Sequence, residues 1–264
     1  MALEINKIYC GDNLELIKQL DNNCIDLTVT SPPYDNLRNY NGYSWDFEGL
    51  AKELFRVTKE GGVVVWVVGD ATIKGSETGT SFRQALYFKE VGFNLHDTMI
   101  YQKRGLPNES HTRYRQDFEY MFILSKSSPK TFNPILHKKK YDDKRKTKAM
   151  NRDKDGNFNK AKMNPHEMTK EGNIFFYVAA GGVGQTDSIA YQHPATFPEK
   201  LAEDNIISWS NKGDLILDPF MGSGTTAKMA LKNERDFIGF ELSQEYCDIA
   251  DKRIAPWREQ KRLF

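Results

Sequence analysis

Short apolar runs that alternate with helix-like stretches constrain the fold of this chain more than any other feature. The runs are rich in β-branched and aromatic residues, which is typical of strands buried on both faces of a sheet. They cover residues 25–30, 63–68, 118–124, 215–217 and 237–240. Stretches with a helical spacing of apolar residues lie between them, at 13–20, 47–57, 82–91, 197–211, 225–233 and 243–254. This alternation predicts an α/β fold with one mainly parallel sheet.

The start of one helix is marked by the segment Thr196-Phe197-Pro198-Glu199. A threonine followed three residues later by a glutamate has the spacing of a capping box, in which the two side chains bind each other's backbone amides. Apolar residues follow at helical intervals, at Ala202, Ile206 and Trp209. The spacing therefore predicts a helix that is capped by Thr196 and Glu199.

Charge is distributed unevenly along the chain. There are 37 Lys plus Arg and 36 Asp plus Glu, so the formal net charge is +1. Residues 126–162 hold 13 Lys or Arg against 4 Asp, a net of +9, which leaves −8 for the remainder. This basic stretch is poor in aliphatic residues and has no helical or strand period, which indicates an insertion. We expect the insertion to span 127–190, between the two halves, 1–126 and 191–264, of one domain.

Several classes of protein are excluded by simple observations. The longest purely aliphatic or aromatic run, 63–68, is far shorter than the roughly 20 residues that cross a bilayer, which excludes a membrane-spanning helix. No apolar stretch of signal-peptide length opens the chain, so we expect a cytoplasmic protein of a prokaryotic or phage type. The cysteines, Cys10, Cys24 and Cys247, lack C-x-x-C spacing. They are expected to be reduced thiols, with neither a disulfide framework nor a zinc site.

A first candidate site is the glycine turn within residues 215–226, which follows a buried strand and an acidic residue and opens a helix. Gly222 and Gly224 permit positive φ and a close approach of the backbone to a ligand, and ligands of open α/β sheets lie beyond the carboxyl ends of strands. Glu241 ends the next strand, 23 residues after Asp218, where a carboxylate can accept hydrogen bonds from ribose hydroxyls. A phosphate cradle is the weaker interpretation, because the turn is neither a Walker P-loop nor G-x-G-x-x-G. A plain strand-to-helix turn is the structural alternative.

A second candidate site follows the strand at 25–30, at Ser31-Pro32-Pro33-Tyr34. Two consecutive prolines fix φ and stiffen the turn, so that Ser31, the neighbouring carbonyls and the Tyr34 ring would be held in fixed relative positions. A rigid hydrogen-bond acceptor beside an aromatic ring suits a flat base with an exocyclic amine. A loop with a packed tyrosine is the alternative for such a turn taken alone. The presence of both motifs on one sheet favours the functional interpretation.

Together these motifs resemble the β group of DNA amino-methyltransferases. In that family the catalytic motif precedes the motif that binds S-adenosyl-L-methionine (AdoMet), and a target-recognition region lies between them. The order here is the same: Ser31 to Tyr34, the basic insertion, then Asp218 to Thr226. Residues 10–13 resemble the opening segment of the family, and residues 193–201 resemble the segment that lines the methionine end of AdoMet. The resemblance implies a Rossmann-like AdoMet-dependent methyltransferase fold, with a seven-stranded sheet, helices on both faces and an inserted target-recognition region.

The resemblance also implies roles for individual residues. The catalytic turn would consist of Ser31, Pro32, Pro33 and Tyr34. AdoMet would be bound, without a metal, by Asp12, Asn13, Thr30, His193, Pro194, Thr196, Phe197, Asp218, Pro219, Phe220, Gly222, Gly224, Thr225, Glu241 and Leu242. DNA would be bound by Lys138, Lys139, Lys140, Lys144, Arg145 and Arg152, for which a solvated charge run without a partner is the alternative. The aromatic residues that follow the turn would form either a lid over the base or packed core: Tyr40, Tyr43 and Trp45.

The implied reaction is attack by an exocyclic base amine on the AdoMet methyl group, with the base flipped out of double-stranded DNA. Family members whose catalytic motif begins with Ser mostly methylate cytosine N4, and those that begin with Asp mostly methylate adenine N6, so Ser31 favours N4-cytosine. The alternatives are an N6-adenine DNA methyltransferase, methylation of a structured RNA base, and a catalytically silent DNA-binding protein of the same fold. We expect a monomer or homodimer in a restriction-modification or epigenetic setting, where a restriction endonuclease can be its companion.

Overall fold

The computed structural model describes most of the chain. The described residues are 3–33, 45–104, 112–114, 116–138, 150–152, 154–160, 168–178, 184–192 and 196–261. Several predicted site residues lie outside these ranges: Tyr34, Lys139, Lys140, Lys144, Arg145, His193 and Pro194. The chain divides into two compact units, one formed by Met1–Asn133 with Asn173–Phe264 and one formed by Pro134–Gly172.

The described helices all belong to the larger unit. They are α1 (Asn13–Ile17), α2 (Phe47–Val57), α3 (Thr80–Val91), α4 (Glu199–Trp209), α5 (Thr225–Lys232) and α6 (Gln244–Lys261), with a 3-10 turn at Ile189–Gln192. The strands are β1 (Lys7–Cys10), β2 (Ile25–Thr30), β3 (Thr58–Val68), β4 (Thr72–Ile73), β5 (Ser76–Glu77), β6 (Asn94–Arg104), β7 (Phe118–Ser125), β8 (Leu136–Lys138), β9 (Met150–Arg152), β10 (Phe158–Lys160), β11 (Met168–Lys170), β12 (Ile174–Val178), β13 (Leu215–Asp218) and β14 (Asp236–Glu241).

Eight strands form one sheet, in the order β1-β14-β13-β2-β3-β7-β6-β12. Neighbouring strands pair in parallel except on the two sides of β7, which is antiparallel to β3 and to β6. Every strand of this sheet except β7 therefore runs in the same direction. The predicted α/β class with a mainly parallel sheet is confirmed, and the sheet has eight strands in place of the seven expected.

Apolar layers cover both faces of the sheet, because successive side chains of a strand point to opposite faces. In β3, Val65 lies in the layer that includes residues of α4, α5 and α6. The adjacent Trp66 lies in the layer that includes residues of α1, α2 and α3. Both side chains are fully buried. A strand covered on both sides needs apolar residues at every position, which explains the continuous run at 63–68.

Three strands of the sheet lie outside the runs that the sequence indicates. β6 is polar towards both ends, and Met99 and Tyr101 alone among its described side chains are buried. β1 is an edge strand in which Ile8 is the buried residue. β12 lies within the predicted insertion 127–190, yet it pairs in parallel with β6. A search for continuous apolar runs finds strands that are covered on both faces and misses those at the sides of the sheet.

The predicted capping box is wrong. Helix α4 begins at Glu199, with Pro198 as its N-cap and no side-chain capping hydrogen bond. The Glu199 carboxylate instead accepts hydrogen bonds from Lys228 and Arg253, on two other helices. The Glu199 carboxylate therefore binds side chains that are distant in the sequence. The local spacing predicts instead that it binds backbone amides of its own helix.

The described residues of the smaller unit form two short antiparallel strand pairs. β8 pairs with β11, and β9 pairs with β10. The sequence shows no strand period here, because each of these strands is only three residues long. The unit Pro134–Gly172 lies inside the predicted insertion 127–190. In neither unit does a described helix have the length and apolar character that crossing a bilayer requires.

Candidate active site

The predicted site residues of the larger unit come together at one edge of the sheet. Strands β1, β14, β13, β2 and β3 are parallel, so their carboxyl ends meet at this edge. The segments that leave the strands there carry the candidates: Asp12 and Asn13 after β1, Ser31 to Pro33 after β2, Pro219 to Gly224 after β13, and Leu242 after β14. The edge is where ligands bind in open α/β sheets.

A buried hydrogen bond joins the two candidate motifs. Thr30, the last residue of β2, donates from Oγ1 to Asp218 Oδ1 at 2.7 Å. The backbone amide of Phe220 donates to the same oxygen at 3.0 Å. Both Thr30 and Asp218 are fully buried, and burial raises the pKa of Asp218 to about 6 against the lowering effect of the hydrogen bond from Thr30. Asp218 thus fixes the Ser31 turn and the start of the glycine loop relative to each other.

The glycine loop, defined here as residues 219–224, depends on left-handed backbone at two positions. Gly222 has φ of +50° and Gly224 has φ of +81°. A Cβ atom on Gly224 would lie 3.0 Å from the Cβ of Ala250 in α6. Gly224 is also the N-cap of α5 and makes no side-chain capping bond. Glycine is therefore required at Gly224 both by the backbone conformation and by close packing on α6.

The carboxylate of Glu241 holds the outer side of the glycine loop. Its Oε2 accepts a hydrogen bond from the Gly222 amide at 2.8 Å, and its Oε1 accepts one from the Ser243 amide at 3.0 Å. Burial raises the pKa of Glu241, although the side chain is not fully enclosed. The neighbouring Leu242 is 41% exposed. Glu241 therefore combines a fixed position with a partly open carboxylate.

The two candidates after β1 have different surroundings. Asp12 is exposed, and it caps α1 by accepting hydrogen bonds from the amides of Leu14 at 2.9 Å and Glu15 at 3.1 Å. Asn13 donates from Nδ2 to the carbonyl oxygen of Pro219 at 3.2 Å. Asn13 thus ties α1 to the first residue of the glycine loop, whereas Asp12 orders the start of α1.

The residues of the Ser31 turn that the structure describes are buried or half-buried. Pro32 is buried, and Ser31 and Pro33 are half-buried. Beside the turn's strand, Phe220 of the glycine loop contacts Trp45 edge-on, with ring centroids 4.9 Å apart. Trp45 also packs on Trp66, so the packed-core interpretation holds for this residue. The other members of the predicted lid lie outside the described residues: Tyr40 and Tyr43.

The segment before α4 supplies the remaining candidates. His193 and Pro194 are not among the described residues, while Thr196 and Phe197 are half-buried. The carbonyl oxygen of Phe197 accepts a hydrogen bond from Gln185 Nε2 at 2.7 Å, and its ring packs against the core. The described part of the chain contains no group of three or more His, Cys, Asp and Glu residues that could hold a metal ion.

Sequence reasoning missed a buried ionic network beside the glycine loop. It consists of Lys228 in α5, Arg253 in α6, Glu199 at the start of α4, and Asp187. A signal for Arg253 is present in the sequence, because the apolar positions Ile249, Ala250 and Ile254 place it on the buried face of its helix. No local signal exists for Glu199, whose partners lie 29 and 54 residues away.

The site has a specific chemical capacity. A proline-stiffened turn offers a hydroxyl and peptide carbonyls as hydrogen-bond acceptors, and the adjoining glycine loop offers bare backbone next to a carboxylate.

Of the basic residues predicted to bind DNA, Lys138 is exposed in β8, and Arg152 is described by its backbone in β9.

Comparison with known proteins identifies the family that this architecture resembles. A family model described as DNA methylase, for N6 and N4 methyltransferases, matches residues 25–252. The orphan methyltransferase M.BamHII of Bacillus amyloliquefaciens is 60% identical over 236 residues, covering 87% of this chain and 88% of the relative. Among solved structures, a putative DNA modification methylase from Thermus thermophilus, complexed with S-adenosyl-L-methionine, aligns with a TM-score of 0.65 at 23% identity over 95% of this chain and 93% of its own. The PvuII DNA methyltransferase (cytosine-N4-specific) aligns with a TM-score of 0.68 at 22% identity over 96% and 91% of the two chains.

Proposed function

Because this chain belongs to the DNA methylase family and is a DNA methyltransferase, we propose that it transfers the AdoMet methyl group to the N4 amine of a cytosine flipped out of duplex DNA. The observation that carries the proposal is the 2.7 Å hydrogen bond from Thr30 to Asp218. It joins the turn that would bind the amine to the loop that would bind AdoMet. Both would then face one reaction space at the carboxyl edge of the sheet.

The residues at this edge fit AdoMet. The carboxylate of Glu241 has about four acceptor sites, so after binding the amides of Gly222 and Ser243 it retains capacity for ribose hydroxyls. The left-handed glycines leave the adjacent backbone bare, which allows close approach of a ligand. A structurally similar protein was solved in complex with S-adenosyl-L-methionine. When bound, AdoMet supplies an electrophilic methyl group on a sulfonium.

The Ser31 turn would orient the target amine. The lone pair of an exocyclic amine is conjugated with its ring, which makes the amine a weak nucleophile. Hydrogen bonds accepted by Ser31 Oγ and by the Pro32 carbonyl oxygen would favour a pyramidal nitrogen whose lone pair faces the methyl group. Ser31 thus acts by positioning the amine, and the proton leaves after the nitrogen has become cationic. Stacking on Tyr34, worth about 1–3 kcal/mol, would offset part of the cost of flipping the base.

Cytosine is proposed as the target because the catalytic motif begins with Ser31, as in most family members that methylate cytosine N4. Both cytosine N4 and adenine N6 are exocyclic amines that could donate to a serine hydroxyl. An N6-adenine DNA methyltransferase is therefore the second candidate function.

The basic insertion would bind the phosphate backbone of the DNA. Lys138 projects from β8 as an exposed cation, and the other predicted basic contacts share its segment. Such contacts fix the position of a protein on a duplex without reading its sequence.

An enzyme of this kind would work in the cytoplasm. A companion endonuclease and the monomeric or homodimeric state stay predictions, and the word orphan in the name of the 60% identical relative argues against the endonuclease.

The proposal is tested by identifying the methylated nucleoside. The protein is incubated with isotopically labelled AdoMet and, separately, with duplex DNA and structured RNA, and the digested nucleosides are analysed by mass spectrometry. Labelled N4-methylcytosine from DNA alone is expected. N6-methyladenine as the sole product would establish the second candidate function. Label in RNA alone would show that the substrate is RNA. The absence of any transfer would indicate a catalytically silent DNA-binding protein.

A further inference from the structure

The buried ionic network connects the glycine loop to a segment that is distant in the sequence. Arg253 is 3% exposed, and its Nη1 donates to the Ser223 carbonyl oxygen at 3.1 Å and to Thr225 Oγ1 at 2.9 Å. From its other side, Nη2 donates to Glu199 Oε1 at 2.6 Å and to Gln185. One guanidinium therefore binds the end of the glycine loop, Gln185 and the first residue of α4.

Lys228 reinforces the same connection from α5. It is 5% exposed, and its Nζ donates to Glu199 Oε1 at 2.7 Å, to Asp187 Oδ2 at 2.5 Å and to Thr186 Oγ1 at 2.8 Å. Asp187 also accepts from Arg253 Nε at 3.0 Å. Two cations and two carboxylates thus balance each other inside the protein.

Both carboxylates are ionised in this arrangement. Burial by itself raises the pKa of Glu199, but hydrogen bonds from Lys228 and Thr186 lower it overall. Burial likewise raises the pKa of Asp187, and hydrogen bonds from Lys228 and Arg253 lower it overall. Replacing a buried ion network by apolar residues is often neutral or stabilising, so stability alone does not explain why charges occupy this position.

The geometry points to Arg253 as a positioning residue for the methyl donor: it holds Ser223 of the glycine loop and Thr225 of α5 in place against Gln185, Asp187 and Glu199. The inference rests on the proposed function, in which the glycine loop binds AdoMet. A guanidinium suits this task, since its planar fork can donate to two segments at once in a fixed geometry. Losing it frees the loop's end while leaving the Glu241 and Asp218 contacts in place.

The chain offers a matched control in Arg235. This arginine is also buried, at 6% exposure, and it donates to Ser210 Oγ at 3.0 Å and to the carbonyl oxygens of Ser210 and Asn233, each at 2.6 Å. It directly precedes β14 and therefore lies at the amino end of that strand, away from the glycine loop. Loss of Arg235 removes a comparable buried guanidinium from the opposite edge of the sheet.

The test compares Arg253→Met, Arg253→Lys and Arg235→Met in the full chain, at a temperature well below the Tm of each variant. The readouts are Tm, the KM for AdoMet and the KM for duplex DNA. Both methionine variants should lower Tm. Arg253→Met should raise the KM for AdoMet by about tenfold or more with the KM for DNA nearly unchanged, and Arg253→Lys should fall between it and the wild type. Arg235→Met should leave both KM values nearly unchanged.

Equal effects of Arg253→Met and Arg235→Met on the KM for AdoMet would overturn the positioning role. Should Arg253→Met fail to fold, Asp187→Asn supplies the same test, because it weakens the network at its half-buried rim. It should raise the KM for AdoMet alone, and an unchanged value would equally refute the inference. Failure of the proposed function has a different signature: the wild type itself would neither bind AdoMet nor transfer methyl groups.

Discussion

The two motifs at the carboxyl edge of the sheet are fixed by different means. The glycine loop is held from outside, through the Glu241 carboxylate, the Asn13 amide and the Arg253 guanidinium. The Ser31 turn is stiffened from within by Pro32 and Pro33, whose rings lock φ. The loop therefore needs a particular set of neighbours to keep its shape, whereas the turn carries its rigidity in its own residues. Substitutions near the loop should weaken AdoMet binding, and substitutions in the turn should slow the transfer of the methyl group.

The largest expected effect is on kcat and comes from a substitution in the Ser31 turn. Ser31→Ala removes the hydroxyl that would accept the amine's hydrogen, and kcat should fall by about 100- to 1000-fold, as for the loss of other preorganised hydrogen-bonding groups. Steady-state kinetics on duplex DNA measure the change. Ser125→Ala is the control, because Ser125 ends the antiparallel strand β7 at the opposite edge, where its hydroxyl donates to the nearby Ser127 carbonyl oxygen. Full activity of Ser31→Ala would refute the role of Ser31.

Much of this edge could be predicted from the sequence, and the reason is local. Asp218, Gly222 and Gly224 lie within seven residues that run from a strand into a helix, and the Ser31 turn likewise follows its strand directly. Patterns of this kind depend on neighbours in the sequence. The apolar runs predict five strands of the sheet, whereas the strand order and the antiparallel direction of β7 do not follow from them.

The features that could not be predicted are set by distant contacts. Glu199 has capping-box spacing, but the structure gives its carboxylate to Lys228 and Arg253. The predicted insertion 127–190 includes β12, although the partner of this strand in the sheet is β6. For Glu199 and β12, contacts with residues that are far away in the sequence determine the role. No local sequence pattern predicts such contacts.

The second expected effect concerns the bond that joins the turn and the loop. Burial raises the folded pKa of Asp218 to about 6, above the ordinary value of 3.8, so the folded protein binds this proton more tightly than the unfolded chain does. The resulting stabilisation is present in full below about pH 4 and is lost as the pH rises through about 6. Asp218→Asn removes the titration. The free energy of unfolding of the wild type relative to this variant should fall by on the order of 2–3 kcal/mol from pH 4 to pH 7.

Urea unfolding of both proteins at the two pH values measures this difference. A difference that does not change with pH would show that Asp218 is not buried as a carboxyl group with a raised pKa. The bond between turn and loop would then need another explanation.

A third, smaller effect addresses the loop's side of the comparison. Gly224→Ala forces an alanine into φ of +81° and should cost about 1–2 kcal/mol of stability, with AdoMet bound about tenfold more weakly. Gly213→Ala is a close control, because Gly213 has φ of +83° and open space within 4 Å of the position that a Cβ atom would take, and it precedes β13 at the other edge. It should lose stability from backbone strain alone, and so somewhat less than Gly224→Ala, and keep its affinity for AdoMet. An equal loss of affinity in both variants would show that backbone strain far from the glycine loop weakens AdoMet binding as much as strain within it.

The smallest expected effect lies outside both motifs. Lys138→Ala should leave kcat and AdoMet binding unchanged, weaken duplex binding, and reduce the slope of log Kd against log salt concentration by about 0.9 if Lys138 neutralises one phosphate. Fluorescence anisotropy with a labelled duplex at several salt concentrations measures the slope. Lys212→Ala, which removes an exposed lysine beside Glu234, should leave the slope as in the wild type. An unchanged slope for Lys138→Ala would assign Lys138 to solvent.

Calorimetric titration of AdoMet into the wild type, Ser31→Ala and Gly224→Ala tests most directly whether the loop binds the methyl donor and the turn binds the target. The predicted result is an affinity for Ser31→Ala within about twofold of the wild type and an affinity for Gly224→Ala about tenfold weaker. Equal weakening in both variants, or no binding by the wild type, would contradict the assignment of separate tasks to the two motifs.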